Sequence, residues 1–175
     1  MKILVTGAKG FVGRNLCAEL KNRNYEKIKQ NQVPDEIFEY DRQSSPADLV
    51  KWCQECNFVY HLAGVNRPKD QSEFKEGNVD FTSQVLDLLK KYNNKAPVLL
   101  SSSIHAAKQG QPYGDTKRES EELLFNYEES TGVKVYVFRL ANLFGKWCRP
   151  NYNSVVATFC YNAARGLPLT INDPA

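Results

Sequence analysis

The sequence predicts an α/β fold built on a doubly wound parallel sheet. Three observations support it. Short apolar runs alternate with helical stretches along the chain. The first run, KILVT, leads directly into a glycine-rich turn, TGAKGFVG. The residues able to do chemistry cluster just after the apolar runs. Apolar strands alternating with helices imply a sheet covered on both faces. Ligands of such sheets bind beyond the carboxyl ends of the strands, where the strand order reverses.

Each element follows from its local pattern. Residues 2–6 read as a buried strand. FVGRNLCAEL continues from the turn with helical periodicity, Val12, Leu16 and Leu20 sharing one face. NRNYEKIKQNQVPD is polar, contains Pro34 and reads as a loop. IFEYD (37–41) is the second strand. PADLVKWCQEC is a helix with Ser45 as its cap and Pro46 in its first turn. FVYHLAG (58–64) is the third strand. Gln71 to Tyr92 forms one long amphipathic helix, with Val85, Leu88, Leu89 and Tyr92 on its apolar side. PVLLSSS (97–103) is the fourth strand. Tyr113 to Tyr127 is helical, packing Leu123, Leu124 and Tyr127 inward, and VKVYVFRL (133–140) is the fifth strand. Asn153 to Arg165 is a further helix, and LPLTI (167–171) reads as a strand.

Composition narrows the function. With 175 residues, 42% hydrophobic and 25% charged, the chain has the make-up of one soluble globular domain. Net charge is +3 and the basic residues are scattered, so neither nucleic acid nor a membrane surface is an expected partner. No apolar run approaches membrane-spanning length and no signal peptide precedes KILVTG, which makes the cytoplasm the expected compartment. The five cysteines are irregularly spaced and do not form a disulfide framework. WCQEC resembles a redox motif, but it closes a helix where a redox motif would open one, so its thiols are expected to be reduced and structural.

TGAKGFVG sets Gly7, Gly10 and Gly13 between a strand and a helix. Gly7 permits the tight turn, Gly10 lets the backbone approach a pyrophosphate, and Gly13 allows helix and strand to pack closely. The helix start adds N–H donors and a positive dipole. The fold is therefore Rossmann-like and implies a dinucleotide. At the end of the second strand, Asp41 would accept from the free ribose 2′-hydroxyl of NAD(H), whereas Arg42 would pair with the 2′-phosphate of NADP(H). Lys9 adds a second cation near the same ribose. The charge balance favours NADP(H) over NAD(H).

Two tyrosine–lysine pairs share the spacing Y-x-x-x-K: Tyr25–Lys29 and Tyr113–Lys117. Only the second follows a strand tipped with serines. Residues four apart share a helix face, so Tyr113 and Lys117 can both face a cleft opposite Ser101–Ser103. An ammonium beside the phenol is expected to lower its pKa. Such a tyrosine can donate a proton to a carbonyl oxygen, the lysine can hold a nicotinamide ribose, and a serine hydroxyl can orient the carbonyl.

Taken in order, TGAKGFVG, HLAG, SSS, YGDTK and RLANLFG resemble the motif set of the extended short-chain dehydrogenases/reductases. HLAGVNRP (61–68), LLSSSI (99–104), NLFGKWCRPNYNSV (142–155) and ATFCYNAARG (157–166) resemble, more narrowly, the members that reduce nucleotide sugars for bacterial capsular polysaccharide. The likeness runs across essentially the whole chain. It implies NADPH-dependent reduction of the C4 ketone of a UDP-2-acetamido-2,6-dideoxy-4-hexulose, on the way to UDP-N-acetyl-L-fucosamine. Carried over by position, Tyr113 is the acid, Lys117 its partner and Ser103 the carbonyl clamp, a role Ser102 could also fill. Beyond the glycine turn, Asp41 and Arg42, cofactor contacts are implied at Phe11, Val12, Leu62, Ala63, Gly64 and Leu140. Asn142 is implied to touch the sugar nucleotide, and Asn66, Arg67, Ser102 and His105 to line its pocket. His105 can equally be read as a loop histidine that only packs.

The resemblance also implies a UDP-sugar substrate and a homodimer. Residues 1–148 would form the dinucleotide-binding domain, and 149–175 only the start of a C-terminal substrate-binding lobe. The capsule-forming members carry a metal-binding cupin domain as well. No part of one is read here, so neither epimerase activity nor a metal site is expected. A core shortened in this way is expected to expose apolar surface. An NAD-dependent sugar-nucleotide epimerase or dehydratase, kept open by Asp41, and a cofactor-binding remnant without turnover are the alternatives.

Overall fold

The computed structural model describes residues 1–171. Five strands, β1 (Lys2–Thr6), β2 (Glu36–Tyr40), β3 (Phe58–His61), β4 (Val98–Ser103) and β5 (Val135–Leu140), form one parallel sheet in the order β2-β1-β3-β4-β5. The chain leaves β1 for β2 on one side and returns to β3 on the other. The strand order therefore reverses between β1 and β3, and a ligand crevice belongs at their carboxyl ends.

Alternate residues of the strands feed two cores. Ile3 and Val5 face α1 (Phe11–Lys29) and pack with Ala8, Cys17 and Leu20. Leu4, Val59 and Leu100 face the opposite side. There they meet α2 (Pro46–Glu55), α4 (Phe81–Lys91) and α5 (Pro112–Thr131) through Leu49, Leu89 and Leu124, each wholly buried. Ser45 caps α2 as expected, its hydroxyl accepting from Ala47 N at 3.2 Å. Cys53 and Cys56 are reduced and buried, and burial pushes their thiols up to about 12 and about 11.

Three sequence expectations are corrected. The polar stretch after Leu20 is not a loop: α1 continues to Lys29, so Tyr25–Lys29 lies on a helix. No proline or glycine interrupts residues 21–29, and straight-chain polar residues favour a helix even when little of it is buried. Tyr25 is exposed and Lys29 Nζ sits 4.3 Å over its ring, on the end of α1 that bonds to Asp35, just before β2, and so away from the carboxyl edge of the sheet. The second correction concerns residues 71–92. A short turn, α3 (Ser72–Phe74), passes into a π-helical turn at Lys75–Asp80 before α4 begins. The third is LPLTI, which forms no strand. Leu167 N donates to Asn162 O at 2.9 Å and Asn162 Nδ2 to Pro168 O at 2.9 Å, so the segment turns back onto the end of α6 (Val155–Ala163).

Met1–Leu140 form one compact unit, and a second begins at Ala141. In the second, Ser154 caps α6 by accepting from Ala157 N at 3.3 Å. Apolar side chains stand exposed in both units, among them Phe138 on the edge strand β5 and Phe144, Val155 and Ile171 in the second unit. Among the described residues, no helix is long and apolar enough to cross a membrane.

Candidate active site

The glycine turn joins β1 to α1 at the point of strand-order reversal. Gly7 has φ +68°, and a Cβ there would lie 2.8 Å from the Ala63 backbone. A Cβ on Gly13 would lie 2.1 Å from Gly7 O. Both positions exclude any side chain, and they bring β1, α1 and the segment after β3 together. Gly10 caps α1 with no side chain to fill the donor positions, and no acidic residue occupies the first turn. The N–H groups of Phe11, Val12 and Gly13 therefore have the arrangement that suits a phosphate. These features fit a dinucleotide cofactor.

Asp41 stands at the tip of β2. Its carboxylate accepts from Lys9 N at 2.9 Å and from Arg42 N at 2.8 Å, tying the β2 tip to the glycine turn. Lys9 Nζ reaches Gln43 Oε1 at 3.0 Å, a partner that the sequence reading did not single out. Leu62 is partly buried against the α1-side core, and Ala63 N donates to Thr6 Oγ at 3.3 Å.

Beyond the carboxyl end of β4, α5 starts at Pro112 and presents Tyr113. A Cβ on Gly114 would fall 2.3 Å from His105 O, so this glycine lets α5 close against the short 3-10 turn Ile104–Ala107. Tyr113 is half-buried, between Phe74 (centroids 5.9 Å apart) and the edge of His105 (6.0 Å). Its hydroxyl lies near that of Ser103, whose Oγ accepts from His105 N at 3.2 Å. His105 thus packs on the phenol and orients Ser103.

Lys117 lies one turn further, 6% exposed, and donates to Ser101 O at 3.0 Å. Burial brings its pKa down to about 8, with the Glu121 carboxylate acting in the other direction. The expected lowering of the tyrosine pKa is not found. Burial raises Tyr113 above the usual phenol value, and the nearby Ser103 hydroxyl only partly opposes this. The Lys117 ammonium is directed to the Ser101 carbonyl.

Ser102 points elsewhere. Its hydroxyl donates to Glu121, a 2% exposed carboxylate that Arg139 grips through Nε at 3.0 Å and Nη2 at 2.6 Å. Ser103 is the serine brought to Tyr113, and Ser102 is held in this second network. Asn66 and Arg67 follow Val65 at the surface. Leu140 ends β5, and Asn142 belongs to the second unit.

Three further groups frame the site. Asn78, 2% exposed on the π-helical turn, accepts from Val65 N at 2.8 Å and donates to Val65 O and Thr116 Oγ, each at 3.1 Å. A Cβ on Gly64 would lie 2.9 Å from both Asn78 Oδ1 and Lys117 Nζ, so the backbone after β3 runs directly against the lysine. His61 is buried between Thr6 (Nδ1, 2.8 Å) and Thr82 (Nε2, 2.9 Å). Because the Thr82 hydroxyl donates to Asn78 O, it accepts from Nε2–H, and Nδ1 accepts from Thr6. Burial and the nearby Lys117 charge bring the His61 pKa down to about 3, which keeps this chain neutral and fixed in direction. A regular helix over 71–92 already places Asn78 on the face of Val85 and Leu89, seven and eleven residues on, and a reading of that face from apolar residues alone passes over it. The glycine at position 77, where a Cβ would meet Val65 Cγ2 at 2.4 Å, was a second signal.

The topology, the glycine turn and the serine–tyrosine–lysine cluster at the carboxyl edge define a Rossmann-like nucleotide-binding protein of the extended short-chain dehydrogenase/reductase type. Residues 3–174 match the model of the NAD dependent epimerase/dehydratase family, and the chain belongs to that family, whose members bind a nicotinamide cofactor. It is 46% identical over 173 residues to a UDP-2-acetamido-2,6-beta-L-arabino-hexul-4-ose reductase of Pseudomonas aeruginosa, covering 99% of this chain and 44% of that protein. The crystal structure of the capsular polysaccharide assembling protein CapF from Staphylococcus aureus superposes with a TM-score of 0.82 at 47% identity, covering 99% of this chain and 44% of that one. UDP-glucuronic acid 4-epimerase from Bacillus cereus, in complex with NAD, gives a TM-score of 0.74 at 25% identity over 98% of this chain and 66% of that one. The chain spans less than half the length of the first two relatives.

Proposed function

We propose that this chain carries the reductase centre of an enzyme that converts the C4 ketone of a UDP-2-acetamido-2,6-dideoxy-4-hexulose to the alcohol, with NADPH as reductant. The observation that carries the reading is the cluster of Ser103, Tyr113 and Lys117 at the carboxyl edge of the sheet, with Lys117 anchored on the Ser101 carbonyl. The 46% identity to a reductase of such a sugar supports the substrate class.

The reduced nicotinamide, when bound, supplies hydride to the carbonyl carbon. Ser103 orients the carbonyl oxygen by a hydrogen bond. Tyr113, kept protonated by its burial, gives its proton to that oxygen as negative charge develops there. Lys117 supplies a positive charge behind Tyr113, which stabilises the phenolate left after transfer. Phe74 and His105 flank the phenol and limit its access to water. Phe11, Val12 and Gly13 offer backbone N–H groups to the cofactor's pyrophosphate.

Preference for NADPH is supported by charge. The Asp41 carboxylate is engaged by two backbone N–H groups, while Lys9 and Arg42 add two cations beside it. The same Asp41 favours the second reading, an NAD-dependent epimerase, in which its carboxylate would take the ribose hydroxyls. Incubation with NADPH and a UDP-4-keto-6-deoxy-N-acetylhexosamine separates the two. The proposal expects NADPH to be consumed mole for mole with a sugar that has gained two hydrogens. An isomerised sugar with NADPH untouched would favour the epimerase.

A further inference from the structure

Tyr113, Lys117 and Glu121 recur every fourth residue along α5, and each meets one of the three serines that end β4. Tyr113 lies near the Ser103 hydroxyl, Lys117 donates to the Ser101 carbonyl, and Glu121 accepts from the Ser102 hydroxyl. The first two rungs form the reactive centre proposed above. The third has no part in that chemistry. Yet Glu121 is 2% exposed, and a buried carboxylate is costly unless it is fully paired.

We propose that Glu121 is a positioning residue: its carboxylate, pinned by Arg139 and Ser102, keeps Lys117 cationic behind Tyr113. The inference rests on the reading of Tyr113 and Lys117 as the reactive pair. The surroundings of Lys117 otherwise disfavour a cation. β3 offers His61, which is neutral and buried, and the π-helical turn offers the uncharged Asn78 carboxamide. β4 gives one carbonyl, that of Ser101. On α5, Tyr113 is a neutral phenol. Glu121 supplies the negative charge that opposes the burial of Lys117.

Glu121 can do this because it stays ionised itself. Its burial opposes ionisation, but the Arg139 and Ser102 hydrogen bonds, with the charges of Arg139 and Arg118, bring its pKa below the usual carboxylate value. Arg139 comes from β5 and is half-exposed, so its own desolvation is small. Arg118 is tied to Asp115 at 2.6 Å on the same helix.

The test is a pH titration of Lys117 by NMR in lysine-labelled, cofactor-free protein. The midpoint expected for the wild-type chain is about 8. Glu121→Gln should lower it by about one unit, whereas Glu122→Gln, which removes an exposed carboxylate from the same helix, should leave it in place. A folded Glu121→Gln protein with the wild-type midpoint overturns the proposal. If Glu121→Gln does not fold, Glu121→Asp decides. Drawing the charge back by one methylene must lower the midpoint by a smaller amount, and no shift overturns the proposal equally. The titration needs neither sugar nor cofactor, so its failure is distinct from failure of the proposed reaction, which Tyr113→Phe addresses.

Discussion

At the scale of single residues, the proposed reduction depends on the protonation states of two groups. Tyr113 is a phenol pushed towards its neutral form, and Lys117 is a buried ammonium that loses its proton at about 8. Above that pH the positive charge behind the phenol is lost, so kcat should fall about tenfold per pH unit between pH 8 and 10; a flat profile across that range would contradict the role given to Lys117. Ser103→Ala should lower kcat about 100-fold by removing one donor to the developing oxyanion. Ser102→Ala, whose hydroxyl faces Glu121, should spare the contact to the carbonyl, so equal kcat losses in the two variants would count against the assignment. The tyrosine–lysine pair was legible in the sequence because it follows a serine-tipped strand. The direction of the tyrosine shift was not, because spacing places the two side chains on one face without showing how far the phenol is buried. The choice between Ser102 and Ser103 likewise needed the Glu121 carboxylate, nineteen residues beyond Ser102.

At the scale of elements, buried strands and capped helices were legible, and irregular turns were not. Ser45 before Pro46 announced the start of α2, and Ser45→Ala should cost about 1 kcal/mol of stability, read as a lowered urea midpoint with unchanged slope. The π-helical turn escaped because an apolar periodicity over 71–92 is satisfied by its second half alone. That turn matters, since it buries Asn78 against Val65 and leads to the Thr6–His61–Thr82 chain. His61 has a folded pKa of about 3 against 6.5 for an ordinary imidazole. Between those values the unfolded chain binds the proton and the folded one does not. Stability therefore falls on acidification from pH 6.5 towards 3, by up to about 1.4 kcal/mol per unit from this group. His61→Gln should flatten that part of the stability profile, and an unaltered acid slope would show that His61 is not its source. The polar half of α1 was missed for the opposite reason: its helix is mostly solvated, so no amphipathic pattern marks it.

At the scale of the whole molecule, the parallel sheet and its order reversal could be anticipated from strand–helix alternation and from TGAKGFVG. The LPLTI segment could not, because an apolar run forms a strand only where another strand offers a ladder, and here Asn162 takes its backbone groups instead. The glycine turn and the start of the tyrosine helix both lie beyond the carboxyl ends of strands in one sheet, so cofactor binding should couple to the stability of the entire first unit. NADPH at one hundred times its dissociation constant should stabilise the chain by about 2.7 kcal/mol, seen as a rise in Tm that exceeds the rise given by equal NADH. A larger rise with NADH would transfer the ribose contact to Asp41. The central claim is that Tyr113 protonates a sugar ketone as it is reduced. The most direct measurement is the rate of NADPH consumption with the UDP-4-keto sugar, comparing the wild-type enzyme with Tyr113→Phe at matched cofactor saturation. The account predicts a fall in kcat of at least about 100-fold with NADPH affinity unchanged; equal rates in the two proteins would contradict it.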